Sequence, residues 1–202
     1  MILHDLTAGM HPRRVRIFLA EKGLSIERRE VDAAGGANAT PEFLRLNPLG
    51  KLPVLELDDG SAIAESLAIC RYLEALNPDP PLMGRTPREA ADIEMWTLRI
   101  DTELSRPIAQ AFLHGSDFYR GRIEQVPEVA TWSRGSALHT MAWLDHELGG
   151  RRHIAGDSYT IADIVAQCAC VLGKATGLRI PAEMTNLSRW FAAVSARPTG
   201  RA

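Results

Sequence analysis

The sequence predicts an α/β half followed by an all-helical half. Up to about residue 77, short β-like runs alternate with helical periodicities. A Pro- and Gly-rich stretch, Asn77 to Arg85 (NPDPPLMGR), then interrupts the pattern as a linker does. Beyond it strand signals stop, and apolar residues recur at three- and four-residue steps. A chain of 202 residues can hold two small domains. The expected division is 1–77, a linker over 78–85, and 86–202.

Met1 to Leu6 reads as a first strand. A helix follows, with Pro12 suited to its first position, Val15, Phe18 and Leu19 on its buried face, and Arg13, Arg14 and Arg16 on its wet face. Gly23 is its stop. Ile26 to Val31 is a weaker strand, and Thr40-Pro41 opens a short helix through Phe43 and Leu46 that ends before Pro48. Val54 to Leu57 and Ser61 to Ala64 form a hairpin around Asp59-Gly60, and a helix carrying Leu67, Ile69, Cys70 and Leu73 follows. The order β-α-β-α-β-β-α matches a thioredoxin-like domain.

In the second half, Thr86-Pro87-Arg88-Glu89 is a capping box. Ile93, Trp96, Ile100, Leu104, Pro107 and Ala111 continue as one long helix, broken or bent near Pro107. Val126 to Leu148 is another helix, ended by Gly149-Gly150. In Tyr159-Thr160-Ile161-Ala162-Asp163-Ile164, Thr160 caps, Asp163 reaches back to its N–H, and Tyr159 staples onto Ile164. The helix this starts, Ile161 to Gly173, is apolar almost all round and so should be central. A last helix lies near Leu187 to Ser195.

Composition excludes several classes. Hydrophobic residues at 46% and charged residues at 24% are ordinary for a globular protein, and a net charge of −2 argues against a nucleic-acid or anionic-membrane surface. No signal peptide and no apolar run of membrane-spanning length is visible, so a cytoplasmic protein is expected. Cys70, Cys168 and Cys170 have no metal-ligand or Cys-x-x-Cys spacing and read as buried packing residues. A dithiol oxidoreductase is thereby excluded, no metal is expected, and any thiol must arrive with a ligand.

Residues 47–74, NPLGKLPVLELDDGSAIAESLAICRYLE, carry the functional signal. Glu65-Ser66 stands at a helix N-terminus, where backbone N–H groups and the positive dipole end collect anions. Leu52-Pro53 is a place for a cis X-Pro bond, and Lys51 adds a cation. Taken singly, Glu65-Ser66 is also an ordinary helix cap, Lys51 a loop charge and Pro53 a turn proline. Together they suit a small peptide with carboxylates at both ends. The segment resembles the glutathione-binding half of the glutathione S-transferase family, and the resemblance spans nearly the whole chain. It implies that Glu65 and Ser66 hold the γ-glutamyl end of glutathione. The Leu52 backbone, beside a cis-proline at Pro53, pairs with the cysteinyl unit, and Lys51 approaches the glycine carboxylate. It further implies that the Thr160/Asp163 motif serves folding.

Catalysis with glutathione requires the thiolate. Lowering a thiol pKa by ~2 units takes roughly 2.7 kcal/mol. A helix N-terminus supplies about 0.3–1 and at best ~2 kcal/mol, and a hydrogen bond to the charged sulfur about 1.5–3 kcal/mol. One good donor is therefore needed beside the helix. In the loop Leu6-Thr7-Ala8-Gly9-Met10-His11-Pro12, the resemblance places the family's usual serine at Gly9 and its early tyrosine near His4, so the usual hydroxyl is missing. The loop is similar to that of an atypical branch, in which the first helix's N-terminus and a polar group or water on the long helix stabilise the sulfur. The candidates are Gly9, which permits close approach, His11 (a donor or a helix cap) and His114 holding a water (or a packed histidine). Thr7 is a lesser candidate donor. Gln110 lies one turn before His114. Phe112, Phe118, Tyr119 and Trp132 are candidates either for an apolar pocket or for packing.

The expected function is a cytoplasmic, homodimeric glutathione transferase in detoxification, with glutathione as co-substrate and a small electrophile as partner, and with neither nucleic acid nor membrane. The alternatives are a glutathione-dependent disulfide or peroxide reductase or isomerase, and a non-catalytic glutathione-binding scaffold.

Overall fold

A computed structural model describes all 202 residues. The chain forms two compact units, Met1–Leu82 with Arg201–Ala202, and Met83–Gly200.

The first unit contains β1 (Ile2–Asp5), α1 (Met10–Glu21), β2 (Glu27–Glu30), α2 (Pro41–Leu46), β3 (Val54–Glu56), β4 (Ala62–Ala64) and α3 (Ser66–Leu76), the expected order. Its sheet runs β2-β1-β3-β4, with β1/β2 parallel and the other pairs antiparallel. Alternation along β1 sends His4 to one face, edge-on to Phe43 of α2. Asp5 goes to the other face, where it meets Arg16 of α1. Leu3, Val15, Ile17, Phe18, Val54, Leu55, Ile69 and Cys70 are fully buried. The β3–β4 turn closes as expected, with Asp59 Oδ1 accepting from Ser61 N at 2.9 Å and Oγ at 2.6 Å.

Two expectations for α1 are corrected. It begins at Met10, which makes Pro12 the third helical residue rather than the first. Any first-turn position tolerates proline, because those N–H groups have no intrahelical acceptor. Nor are Arg14 and Arg16 on a wet face: they are 1% and 7% exposed. Arg16 turns inward because Asp5, wholly buried on the facing strand, requires counter-charge. Lys22 is also buried. Its Nζ donates to the carbonyls of Asn77 (2.8 Å) and Pro80 and pairs with Glu74, tying the ends of α1 and α3 to the segment that follows.

The second unit contains α4 (Pro87–Ile100), α5 (Arg106–Gly115), α6 (Pro127–Glu147), α7 (Ile161–Ala175) and α8 (Thr185–Ser195). The capping box at Thr86/Glu89 is present. The break in the long helix lies ahead of Pro107, as a π-helical stretch over Asp101–Ser105. Pro107 has no N–H for the carbonyl one turn back, that of Glu103, and the Thr140 hydroxyl donates to that oxygen instead at 2.8 Å. α7 is the core, with most of its residues buried. Asp163, 0% exposed, accepts from Thr160 N (3.0 Å), Ile154 N (3.1 Å) and Trp190 Nε1 (2.8 Å), so the capping carboxylate also locks α8 in place. Cys70, Cys168 and Cys170 form no disulfide and are buried, and burial pushes the Cys170 thiol up to about 12. No helix is long and apolar enough to cross a membrane.

Candidate functional site

The sheet register brings three candidate segments to one end of the first unit. His4 pairs with Val54 and Val54 with Ala64, so β1 leaves, β3 enters and β4 leaves at the same edge. The β1–α1 loop, Leu52-Pro53 and Glu65-Ser66 therefore converge there. Asp5 pairs with Glu30, so the end of β2 joins them.

Two helices start at this end, and neither has a side-chain cap. At α1 the N-cap is Gly9, and the first turn holds no acidic residue. A Cβ on Gly9 would sit 2.8 Å from two ring carbons of Pro12 and 3.1 Å from the Leu6 carbonyl oxygen, so glycine is required by crowding, at an ordinary φ of −77°. The Gly9 N–H donates to the Leu6 carbonyl at 2.8 Å, which assigns that amide to the turn. His11 is exposed in the first helical turn. At α3 the N-cap is Glu65, the one non-glycine residue at positive φ (67°, ψ 118°). Such a backbone costs of order 1–3 kcal/mol and persists only where its surroundings impose it. Ser66, first in the helix, is 4% exposed. The Glu65 side chain makes no cap bond, which removes the ordinary helix-cap reading. By contrast, α2 is capped by Thr40, which accepts from Phe43 N, and α4 by Thr86.

Between these helix starts runs the loop to β3. Leu52–Pro53 is cis. Leu52 is half-buried against the cluster of Val31, Phe43 and Val54, while Lys51 is exposed. Asn47, 5% exposed, shapes the loop: its Nδ2 donates to the Lys51 carbonyl at 2.8 Å, and its Oδ1 accepts from Leu49 N at 3.2 Å. Asn38 Nδ2 donates to the Gly50 carbonyl at 2.7 Å. Gly50 has φ +62°, and a Cβ there would lie 2.9 Å from the Asn38 carbonyl oxygen. Asn47 and Asn38 escaped the sequence reading; the asparagine opening the Asn-Pro-Leu-Gly-Lys run was the available signal.

The β1–α1 loop is braced from beneath. Asp5 accepts from Arg16 Nη1 at 2.8 Å and pairs with Arg28 Nη2 at 2.6 Å. Arg16 also donates to the carbonyls of Leu6 (3.3 Å) and Thr7 (2.8 Å). Glu30 accepts from Thr7 N at 2.8 Å and Thr7 Oγ1 at 2.9 Å, and these bonds hold its carboxyl below the usual glutamate range. The Thr7 hydroxyl is thus committed to Glu30 rather than offered to a sulfur. His4 is 6% exposed, with Nε2 2.7 Å from Glu56 Oε2, so that position also presents no hydroxyl.

In the second unit, His114 is half-buried near the end of α5, and its Nδ1 accepts from Val126 N at 3.2 Å. Phe112, Phe118 and Tyr119 pack on one another with centroids 5.0–6.0 Å apart, while Trp132 is 72% exposed and apart from the trio's ring contacts.

Comparison with known proteins agrees with this geometry. Residues 10–76 match the glutathione S-transferase N-terminal domain, and residues 115–198 match the C-terminal domain. Glutathione S-transferase 2 of Saccharomyces cerevisiae is 38% identical over 203 residues, covering 98% of this chain and 87% of that protein. The chain belongs to the glutathione S-transferase family. The crystal structure of Gtt2 from Saccharomyces cerevisiae superposes with a TM-score of 0.94 at 37% identity, covering 100% of this chain and 99% of that one. Elongation factor 1-gamma 2 of Oryza sativa subsp. japonica is 30% identical over 95% of this chain, which spans 45% of that protein's length. The thioredoxin-like α/β unit and the helical unit are thus the two halves of a glutathione S-transferase fold. No cluster of three or more His, Cys, Asp or Glu side chains is placed to hold a metal.

Proposed function

We propose that this protein is a glutathione transferase that conjugates glutathione to small electrophiles. The observation that carries the reading is the pair of uncapped helix N-termini, α1 and α3, opening at one end of the sheet beside the Leu52 backbone. Unpaired helix amides and the dipole favour anions there. Glutathione supplies a carboxylate at each end and a thiolate between them. Glu65, Ser66 and the α3 amides take the γ-glutamyl end, the Leu52 backbone next to Pro53 pairs with the cysteinyl unit, and Lys51 attracts the glycine carboxylate. The start of α1 at Gly9 and His11, together with a donor function at His114, stabilises the thiolate. Positioning the thiol makes the attack effectively intramolecular, a further contribution to rate. The protein acts as a cytoplasmic homodimer in detoxification.

Titration calorimetry with glutathione tests this. Binding below millimolar ligand with turnover of an activated aryl halide is the expected result; an empty site at millimolar glutathione overturns the reading. Parallel assays with a disulfide and a hydroperoxide separate conjugation from the reductase chemistry of related branches. A non-catalytic glutathione-binding scaffold is the second reading. It is favoured by the burial of His4, by the engagement of Thr7 with Glu30, and by relatives named elongation factor 1-gamma. Binding without turnover of any of the three substrate classes would select it.

A further inference from the structure

His114 is held at one ring nitrogen by the backbone amide of Val126, the residue that follows Gln125. After α5 ends, the chain makes a short 3-10 turn over Asp117–Tyr119 and returns to start α6 at Pro127. The Gln125 side chain closes that excursion: its Nε2 donates to the carbonyls of Leu113 at 2.9 Å and Ser116 at 2.8 Å, at the C-terminal end of α5. The next residue, Val126, is the N-cap of α6, so its own N–H precedes the helical ladder. That N–H lies 3.2 Å from His114 Nδ1 and donates to it. A peptide N–H can only donate, so Nδ1 must present its lone pair and the neutral ring must carry its proton on Nε2.

We propose that Gln125 is a positioning residue which, through the Val126 amide, holds His114 as the Nε2–H tautomer and so determines which ring nitrogen can donate a hydrogen bond. Without it the Phe118 and Tyr119 rings still pack on Phe112 of α5, but the hydrogen bonds that seat the stretch just before Val126 on the end of α5 are gone, and the imidazole loses the fixed amide that selects its tautomer. The catalytic consequence rests on the role assigned above to His114, because only an Nε2–H can donate to a water or a sulfur while Nδ1 stays occupied. The tautomer itself does not rest on that role.

The test uses the full chain labelled with nitrogen-15, with two-dimensional spectra correlating ring nitrogens and ring protons, recorded at a pH where the imidazole is neutral. His114→Gln identifies the His114 signals by their disappearance. The wild-type protein is expected to show the Nε2–H pattern alone. Gln125→Met, which keeps the side-chain volume and removes both donors, is expected to show a mixture of tautomers. It should lower kcat about five-fold, the scale of one lost hydrogen bond, with KM for glutathione within about two-fold. Gln125→Glu removes the same donors at neutral pH and serves if the methionine variant does not fold. An Nδ1–H pattern in the wild type, or an unchanged tautomer in the folded variants, overturns the proposal. A tautomer shift with unchanged kcat upholds the positioning and overturns the catalytic role of His114. Failure of the wild type to bind glutathione overturns the proposed function and leaves the tautomer result standing.

Discussion

The two sides of the candidate site are built in opposite ways. On the β3–β4–α3 side, most of the shape comes from near neighbours in the chain, the 12-residue reach of Asn38 to the Gly50 carbonyl being the exception. Asn47 holds the Lys51 carbonyl four residues on, and Asp59 holds Ser61 two residues on. On the β1–α1 side, the loop is braced almost wholly by residues farther away in sequence. Arg16 reaches Asp5 across 11 positions, and Arg28 and Glu30 reach Asp5 and Thr7 across 23. Short-range hydrogen bonds leave a motif that can be read; a long-range ion network leaves scattered charges that look like a solvated face. The β3–β4–α3 side is therefore largely legible from the sequence, whereas the bracing of the β1–α1 loop is not.

The comparison is broken most directly at Asp5. Asp5→Asn leaves the buried Arg16 guanidinium without its carboxylate, and the expected loss is about 3–5 kcal/mol in denaturant unfolding. A loss under about 1 kcal/mol would mean the loop stands without its network.

Glu65→Gly probes the other side by relieving the positive φ. Stability should rise by about 1 kcal/mol while glutathione binding weakens, since backbone strain held at a site is relieved only by giving up its geometry. A variant that is both less stable and unchanged in binding would contradict the strain argument.

Ser66→Ala and His114→Ala test the division of labour between the grip on the peptide and the treatment of its sulfur. The serine variant is expected to weaken glutathione binding by about tenfold, and the histidine variant mainly to lower kcat. Equal effects of both variants on both quantities would sink that division.

The smallest effect concerns Glu30. Its pKa is lowered in the fold, first by the Thr7 amide and then by the Thr7 hydroxyl. Its contribution to stability is thus present in full above its ordinary value of 4.5 and is lost as pH falls through the lowered value. The Thr7 amide should become less protected from hydrogen exchange below that range, and Glu30→Gln should abolish the pH dependence. If protection at Thr7 follows the same acid profile in the glutamine variant, another carboxylate is responsible.

The helical unit repeats the lesson. The capping boxes at Thr86/Glu89 and Thr160/Asp163 were readable because their partners lie three residues apart. That Asp163 also receives the Trp190 indole, 27 residues on, was not. Pro107 announced a break in the long helix, yet the position of the π-helical stretch depended on Thr140 being available to the Glu103 carbonyl.

By itself the sequence determined the element order, the helix starts, the hairpin and the family motif of residues 47–74, because each is written in periodicity, turn chemistry or bonds spanning a few residues. Only the tertiary structure decided that Arg14 and Arg16 point inward, that Thr7 belongs to Glu30, and that two helices open uncapped at one end of the sheet. A buried charge is placed by whichever opposite charge the fold brings to it, and that meeting is a property of strand register and helix packing rather than of any local run of residues.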